Sequence, residues 1–158
     1  MMQIDWDSVL TRLRSYPRGT HNILPPCDTE RITVVEPLLG RLPGPLVNML
    51  HHFNGAELFI KSGPFVTVFG ISPIVPVSEL EWCRDWYIDV MAPEWRAAGG
   101  PANSLPIAVR NYGGLQILDE DSNVREWDTA IGAWSPGTLN MATWIEVILK
   151  DGDEFLNE

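Results

Sequence analysis

Three apolar runs, LPIAVRN at 105–111, GLQILD at 114–119 and NVREWD at 123–128, restrict what this chain can fold into more than any other feature. Each is short, carries β-branched or large apolar residues, and is bounded by turn formers. Their connections, Asn111-Tyr112-Gly113-Gly114 and Glu120-Asp121-Ser122, are too short for a crossover, so successive strands can pair only antiparallel. ELFI at 57–60 and PFVTVFGI at 64–71 read as further strands. An antiparallel sheet must cover its apolar face, and much of the remaining apolar patterning is helical.

Trp6, Val9, Leu10 and Leu13 recur at i, i+3, i+4 and i+7, which predicts a helix over 5–16 stopped by Pro17. In RLPGPLVNMLHHFNGAELF (41–59), Pro43 or Pro45 opens a helix whose inward face is Leu46, Met49, Leu50 and Phe53. Asn54-Gly55 then reads as its left-handed stop. Residues 78–91 read as a helix capped by Ser78 with Glu81 three residues on, facing inward through Leu80, Cys83, Tyr87 and Val90. Pro93 ends or kinks it, leaving Trp95 in a loop. Asn140 precedes a last helix with Met141, Trp144, Ile145 and Ile148 inward, ending near Gly152. Residues 28–40 suit either a helix capped by Asp28 or Thr29, or a strand through Ile32–Val35, with Pro37 breaking any long helix.

The expected fold is therefore α+β: one domain over 1–158, a mostly antiparallel sheet flanked by helices at both ends of the chain, with 151–158 an acidic tail. At 158 residues and 45% hydrophobic content the chain can bury its own core. No apolar run reaches the roughly 18 residues of a membrane span. The start, MMQIDWDSV, lacks the basic and apolar regions of a signal peptide. Cys27 and Cys83 form no CxxC pair and read as two free thiols in a reducing cytoplasm.

The net charge of −10 is unevenly distributed. Residues 119–158 hold ten acidic side chains against Arg125 and Lys150, a net of −8. Such a field disfavours nucleic acid and anionic membrane as partners and favours encounter with a basic protein. A solvated acidic C-terminus that only aids solubility has the same composition.

Catalytic patterns are sparse. His51 and His52 are adjacent, so on a helix they point about 100° apart and cannot share a metal. His21 lies in a loop. Asp119-Glu120-Asp121-Ser122-Asn123 resembles half of a calcium loop, but Val124 stands where glycine is needed and Ala130 where a bidentate glutamate is needed. No nucleophile elbow, phosphate-binding glycine loop or zinc-type cluster is present, so no enzyme activity, metal or cofactor is expected. A carboxylate pair drawn from the 21 acids is the remaining enzymatic reading. Of the seven tryptophans, Trp6 and Trp144 sit on apolar helix faces and belong to the core, whereas Trp82, Trp95 and Trp134 are candidates for exposure.

The stretch VEPLLGRLPGPLVNMLHHFNGAELF (35–59) resembles the signature of the SUKH superfamily, the Smi/Knr-type domain. The matching positions are Glu36, Leu39-Gly40, Leu42-Pro43 and Asn54-Gly55. LPIAVRNYGGLQILD (105–119), VREWD (124–128) and MATWIEVIL (141–149) are similar to the family's later strands and closing helix, in the same order. Pro37 departs from the family's uninterrupted helix, and 78–104 matches no part of its pattern.

The resemblance implies an α+β fold without catalytic machinery. It also implies a protein-binding role: immunity proteins that neutralise a polymorphic toxin, often a nuclease, or regulators of cell-wall synthesis and signalling. On this reading a basic, nuclease-type toxin meets Asp119, Glu120, Asp121, Glu126 and Asp128. Trp134 anchors it, and Asp151, Asp153 and Glu154 steer its approach. The protein is expected to be cytoplasmic, a monomer or weak homodimer. A scaffold or regulatory module with several protein partners is the alternative.

Overall fold

A computed structural model describes residues 3–75 and 83–158. Its helices are α1 (Trp6–Arg14), α2 (Thr29–Leu39), α3 (Gly44–His52), α4 (Ile88–Ala97) and α5 (Met141–Leu156). The strands are β1 (Asn22–Ile23), β2 (Ala56–Ile60), β3 (Pro64–Val68), β4 (Leu105–Arg110), β5 (Gly114–Leu118), β6 (Asn123–Asp128), β7 (Ala133–Trp134) and β8 (Leu139–Asn140). They form one antiparallel sheet in the order β1-β2-β3-β4-β5-β6-β7, with β8 also on β6. The fold is α+β, as the sequence predicts.

The centre of the sheet is covered on both faces. All five residues of β5 are buried, which explains why GLQIL lacks polar alternation. Gln116 faces α5 and accepts the Trp144 Nε1–H at 3.1 Å. Leu115, one residue away and so on the other face, pairs with Trp127, whose ring meets Trp95 of α4 edge-on at 5.6 Å. α1 and α3 close the end of the same core: Trp6 and Phe53 meet edge to face at 5.5 Å, and Leu46, Met49 and Leu50 have no exposed surface.

Local chemistry decides the undecided segment 28–40 for a helix. Asp28 accepts the Glu30 N–H at 2.9 Å, and α2 runs through Pro37 to Leu39. Pro37 falls near the helix end, where the backbone bond it deletes leaves a single carbonyl, that of Thr33, without its helical donor. The helix is held from outside by Arg31, which donates to the Ser72 carbonyl at 2.6 Å and lies 3.5 Å from Asp89 of α4. Buried Ser72 in turn donates its N–H to Asp89 at 2.9 Å.

Residues 78–91 depart from the expected helix. Ser78, Leu80, Glu81 and Trp82 lie outside the described residues. From Cys83 onward there is a short 3₁₀ turn (Arg84–Trp86), then extended backbone at Tyr87, then α4. Extended Tyr87 is needed because this segment pairs in parallel with Gly70: the Gly70 N–H donates to Trp86 O at 3.1 Å and Ile88 N–H to Gly70 O at 2.8 Å. α4 runs through Pro93, because burial of Ile88, Ala92 and Trp95 outweighs one missing bond. Trp95 is thus a buried helix residue and no loop anchor.

Asn54-Gly55 also has a different role from a helix stop. α3 ends at Phe53 in extended conformation, before the pair. The Asn54 side chain instead imitates a neighbouring strand: Oδ1 accepts the Ile71 N–H at 2.6 Å and Nδ2 donates to Ile71 O at 2.9 Å. Gly55, at φ +88°, passes so close to β3 that a Cβ would lie 2.9 Å from Val68 O and Gly70 N. Gly70 returns the constraint, since a Cβ there would overlap the Asn54 carbonyl.

Gly152 likewise does not terminate α5. It is buried against the Phe59 ring with no room for a Cβ, and the helix continues to Leu156. Residues 151–156 are therefore the last turns of a packed helix, with Phe155 5.2 Å from Phe65, and not a free tail.

Two substitutions test these contacts. Asn54→Ala strands a buried N–H and C=O and is expected to lower unfolding free energy by about 2–4 kcal/mol in urea titrations. Gly152→Ala is expected to destabilise by about 1–3 kcal/mol, against its better helix propensity, because the added methyl overlaps Phe59. A neutral or stabilising Gly152→Ala result would show that Phe59 yields freely.

Candidate partner-binding surface

The acidic residues singled out in the sequence fall at opposite ends of the sheet. The turn carrying Asp119, Glu120 and Asp121 follows β5, whereas Asp128 pairs with Gly114 at the start of that strand. Those ends are about 13 Å apart along the strand. Asp151, Asp153 and Glu154, at the far end of α5, belong with the Gly114 end: Asp151 lies 3.8 Å from Arg110 of β4, and Asp153 accepts the Tyr16 hydroxyl at 2.6 Å. Glu126 sits between the two ends, opposite Gln116.

Most of these carboxylates are bonded within the fold. Asp119 accepts the N–H groups of Asp121 and Asn123 at 2.9 and 3.0 Å, which shapes the turn that places Ser122 at φ +63°. Asp128 does the same for the next turn, accepting from Ala130 at 2.9 Å. Glu126 takes the Gln116 amide at 2.8 Å, the Ser135 hydroxyl at 3.2 Å and the Tyr112 hydroxyl. Burial and this carboxylate together push the Tyr112 pKa up to about 12. Glu120 makes one bond, to the Asn103 amide at 3.2 Å. Asp121 and Glu154 are exposed, and their carboxylates have no bond or ion pair among the described residues.

Trp134 is half-buried in a tryptophan triad, 5.1 Å from Trp127 and 5.8 Å from Trp95, with the Arg125 guanidinium 4.5 Å from its ring. Trp95 is pinned by an indole bond to Ser104 at 2.8 Å. The structure does bring Trp134 to the acidic turn: Asp119, Glu120, Arg125 and Trp134 line one hollow of about 250 Å³.

A longer concavity lies on the other side of Asp121. Between α1 and α5 a hollow of about 570 Å³ is lined by Ile4, Val9, Ile145 and Leu149, with Asp5, Arg12 and Glu146 at its polar positions. A second, of about 730 Å³, shares Gln3, Ile4 and Ala142 with it and extends past Trp6, Pro45 and Met141 to Asp121. Together they form a groove with an apolar floor. Among the described residues its charged side chains are Asp5, Asp121 and Glu146 against Arg12, which is 3.8 Å from Glu146.

Each wall is fixed by a helix cap. Asp5 accepts the Ser8 N–H at 3.1 Å, and Asn140 accepts the Thr143 N–H at 2.8 Å. Sequence reasoning missed Ile4, Asp5, Ala142 and Glu146. The available signal was an apolar Ile4 just before the cap with Val9 four residues after it, a hydrophobic staple that fixes how the chain enters α1.

The histidines and cysteines serve the fold. His51 is exposed, while His52 Nδ1 lies 2.8 Å from the Asn48 carbonyl. Cys27 and Cys83 are free and buried, and burial raises the Cys27 pKa. Among the described residues no three His, Cys, Asp or Glu side chains are placed to hold a metal.

His21 is structural in another way. Its Nδ1 accepts the N–H of Phe59, which sits at φ +53°, and it packs edge-on between Tyr16 and Phe59 at 5.1 and 4.7 Å. Burial lowers its pKa. No protein-family model and no curated protein sequence matches the chain.

The His21 bond predicts a pH dependence. Since its folded-state pKa lies below the unfolded value, its contribution is complete above about pH 6.5 and is lost as the pH falls toward the lower folded value. Protonation at Nδ1 also removes the acceptor for Phe59. Urea midpoints should therefore fall between about pH 7.5 and 5.5, and His21→Asn, which keeps an acceptor near Nδ1, should flatten that fall. An equal fall in the variant would assign the pH dependence to other groups.

Proposed function

We propose that this chain is a non-catalytic protein-binding domain, a cytoplasmic immunity protein that neutralises a basic, nuclease-type toxin by covering it. The observation that carries this reading is the groove beside Asp121, in which an apolar floor is bordered by more acidic than basic side chains. A basic surface with one projecting apolar side chain complements it: apolar burial supplies affinity, and the acids supply steering. The resemblance to the Smi/Knr-type domain and the net −8 of residues 119–158 support the same partner class. A toxin that grips phosphates must carry a cationic face, and an inhibitor gains by matching it.

The internal bonding of the acids refines which of them take part. Asp121, Glu120 and Glu146 are exposed on or beside the concavities. Asp119, Glu126 and Asp128 act one step back, by shaping the turns and the sheet edge.

The partner to test is the product of the gene adjacent to this one, in the form of its C-terminal domain. Ala142→Arg, which fills the groove and reduces its negative charge, is expected to weaken binding at least about a hundredfold. Asp121→Lys is expected to slow association about tenfold at low salt and to flatten its salt dependence while leaving dissociation little changed. Wild-type affinity in Ala142→Arg would exclude the groove. Specific capture of several unrelated cellular proteins in place of one toxin would transfer the domain to the scaffold or regulatory class.

A further inference from the structure

A polar cavity of about 400 Å³ lies behind the acidic turn, between the α2–α3 loop, α4 and the ends of β4 and β5. Arg41 and Arg96 are on its wall, and Glu120 and Asn103 are bonded to each other on the same wall. The chain has 21 acidic residues for 11 basic ones, so a cation has ample choice of internal partners. Nevertheless neither Arg41 nor Arg96 has a carboxylate within salt-bridge distance among the described residues.

The two differ in setting. Arg96 is half-buried, its Nη2 is fixed by the Leu39 carbonyl at 2.6 Å, and its Nε is buried without a partner. Arg41 is exposed and has no hydrogen bond or ion pair among the described residues. Among the described residues the Arg96 guanidinium is thus held in place with no counter-charge and with donors left for an anionic ligand.

We propose that this cavity is a carboxylate-binding socket, in which Arg41 and Arg96 receive an acidic side chain of a partner protein or a small free carboxylate. The planar guanidinium fork matches a carboxylate. Glu120 on the same wall favours a single negative charge over a phosphate dianion, and it offers an acceptor for an N–H beside the bound carboxylate. Gly44 adds a main-chain N–H at the start of α3, where no side chain caps the helix. The socket adjoins the groove, sharing Gly44 and Ser122 with it, but its occupancy is independent of whether the partner is a toxin.

The test titrates the isolated full-length protein with three probes at constant ionic strength: acetate, N-acetyl-Gly-Glu-Gly-amide, and the same peptide with Gln for Glu. Amide NMR shifts of Gly40, Arg41, Leu42, Gly44 and Asn103 report binding. Saturable shifts are expected with both carboxylates and none with the Gln peptide. A Glu peptide about tenfold tighter than acetate assigns the socket to a protein side chain, and equal affinities assign it to a small carboxylate. Arg41→Gln, which removes no hydrogen bond or ion pair among the described residues, should keep the native spectrum and weaken both carboxylates about tenfold or more. Arg96→Lys keeps the charge but loses the fork and should also weaken them. Shifts with the Gln peptide, no shift with either carboxylate, or undiminished affinity in Arg41→Gln would overturn the proposal. Because no toxin enters this experiment, its failure leaves the groove reading standing, and the reverse also holds.

Discussion

Five stretches of chain meet at the Asn54-Gly55 pair, through one side-chain amide and the backbone bonds around it. Asn54 pairs with both backbone groups of Ile71, at 2.6 and 2.9 Å, where β3 has run out. Close approach at Gly55 and Gly70 makes that pairing possible, and Gly70 then passes the ladder on to Trp86 and Ile88. On the other side the Asn54 N–H donates to Pro25 O at 2.9 Å and the Leu24 N–H to Gly55 O at 3.1 Å. The end of α3, the 24–27 loop, the start of β2, the exit of β3 and the entry to α4 therefore share one node. Each bond alone contributes only about 1 kcal/mol net, but Ile71 is buried and its backbone groups would be costly to leave unpaired. Registration of α4, and with it the Trp95 triad and the cavity at Arg96, depends on this node.

A second polar knot works on the other half of the sheet. Gln116 is 5% exposed and bonds Trp144 of α5 through its oxygen and Glu126 of β6 through its nitrogen. An amide suits this position because it donates and accepts at once, so α5 and the sheet edge are joined through one buried side chain. Glu126 then gathers Ser135 and Tyr112, which ties the chain after β7 and the β4–β5 turn to the same point. A carboxylate with three donors is a structural anchor. Its donors are neutral, so its net charge persists, but its oxygens are engaged within the fold and are not free to bond a partner.

Elements whose signal is local could be read from the sequence. The meander of β4, β5 and β6 follows from strand length and short turns, α1 from a four-residue stripe, and α5 from Asn140 and its apolar face. Gly55, Gly152, Pro37 and Pro93 are not legible in this way, because their meaning here is tertiary. Gly152 resembles a helix stop until Phe59 is seen to fill its space, and Gly55 resembles a cap until β3 is seen to pass within contact. Pro37 and Pro93 resemble breaks, yet α2 and α4 continue through both because buried neighbours outweigh a missing bond. Trp95 and Trp127 show the same limit, since an edge-to-face cluster joins residues 32 positions apart. The position of the groove was least legible of all, because it is made by three helices and a turn that meet only after folding.

The charge excess of the last quarter of the chain also changes meaning once the fold is known. Asp119 and Asp128 build turns, Glu126 anchors the sheet edge, and Asp151 and Asp153 hold Arg110 and Tyr16. Beside the turn, Arg41, Arg96 and Arg125 line the same hollows as Asp119 and Glu120, so this side of the turn carries no uniform negative field. Only toward α1 and α5 is the turn's charge, at Asp121, joined mainly by other acids. On the proposed reading, a partner drawn by the acidic field is directed to one face of the turn, while the arginine-lined face selects the opposite charge. Two faces of opposite preference on either side of one hairpin give a binding surface polarity, and polarity fixes the orientation in which a charged partner can dock.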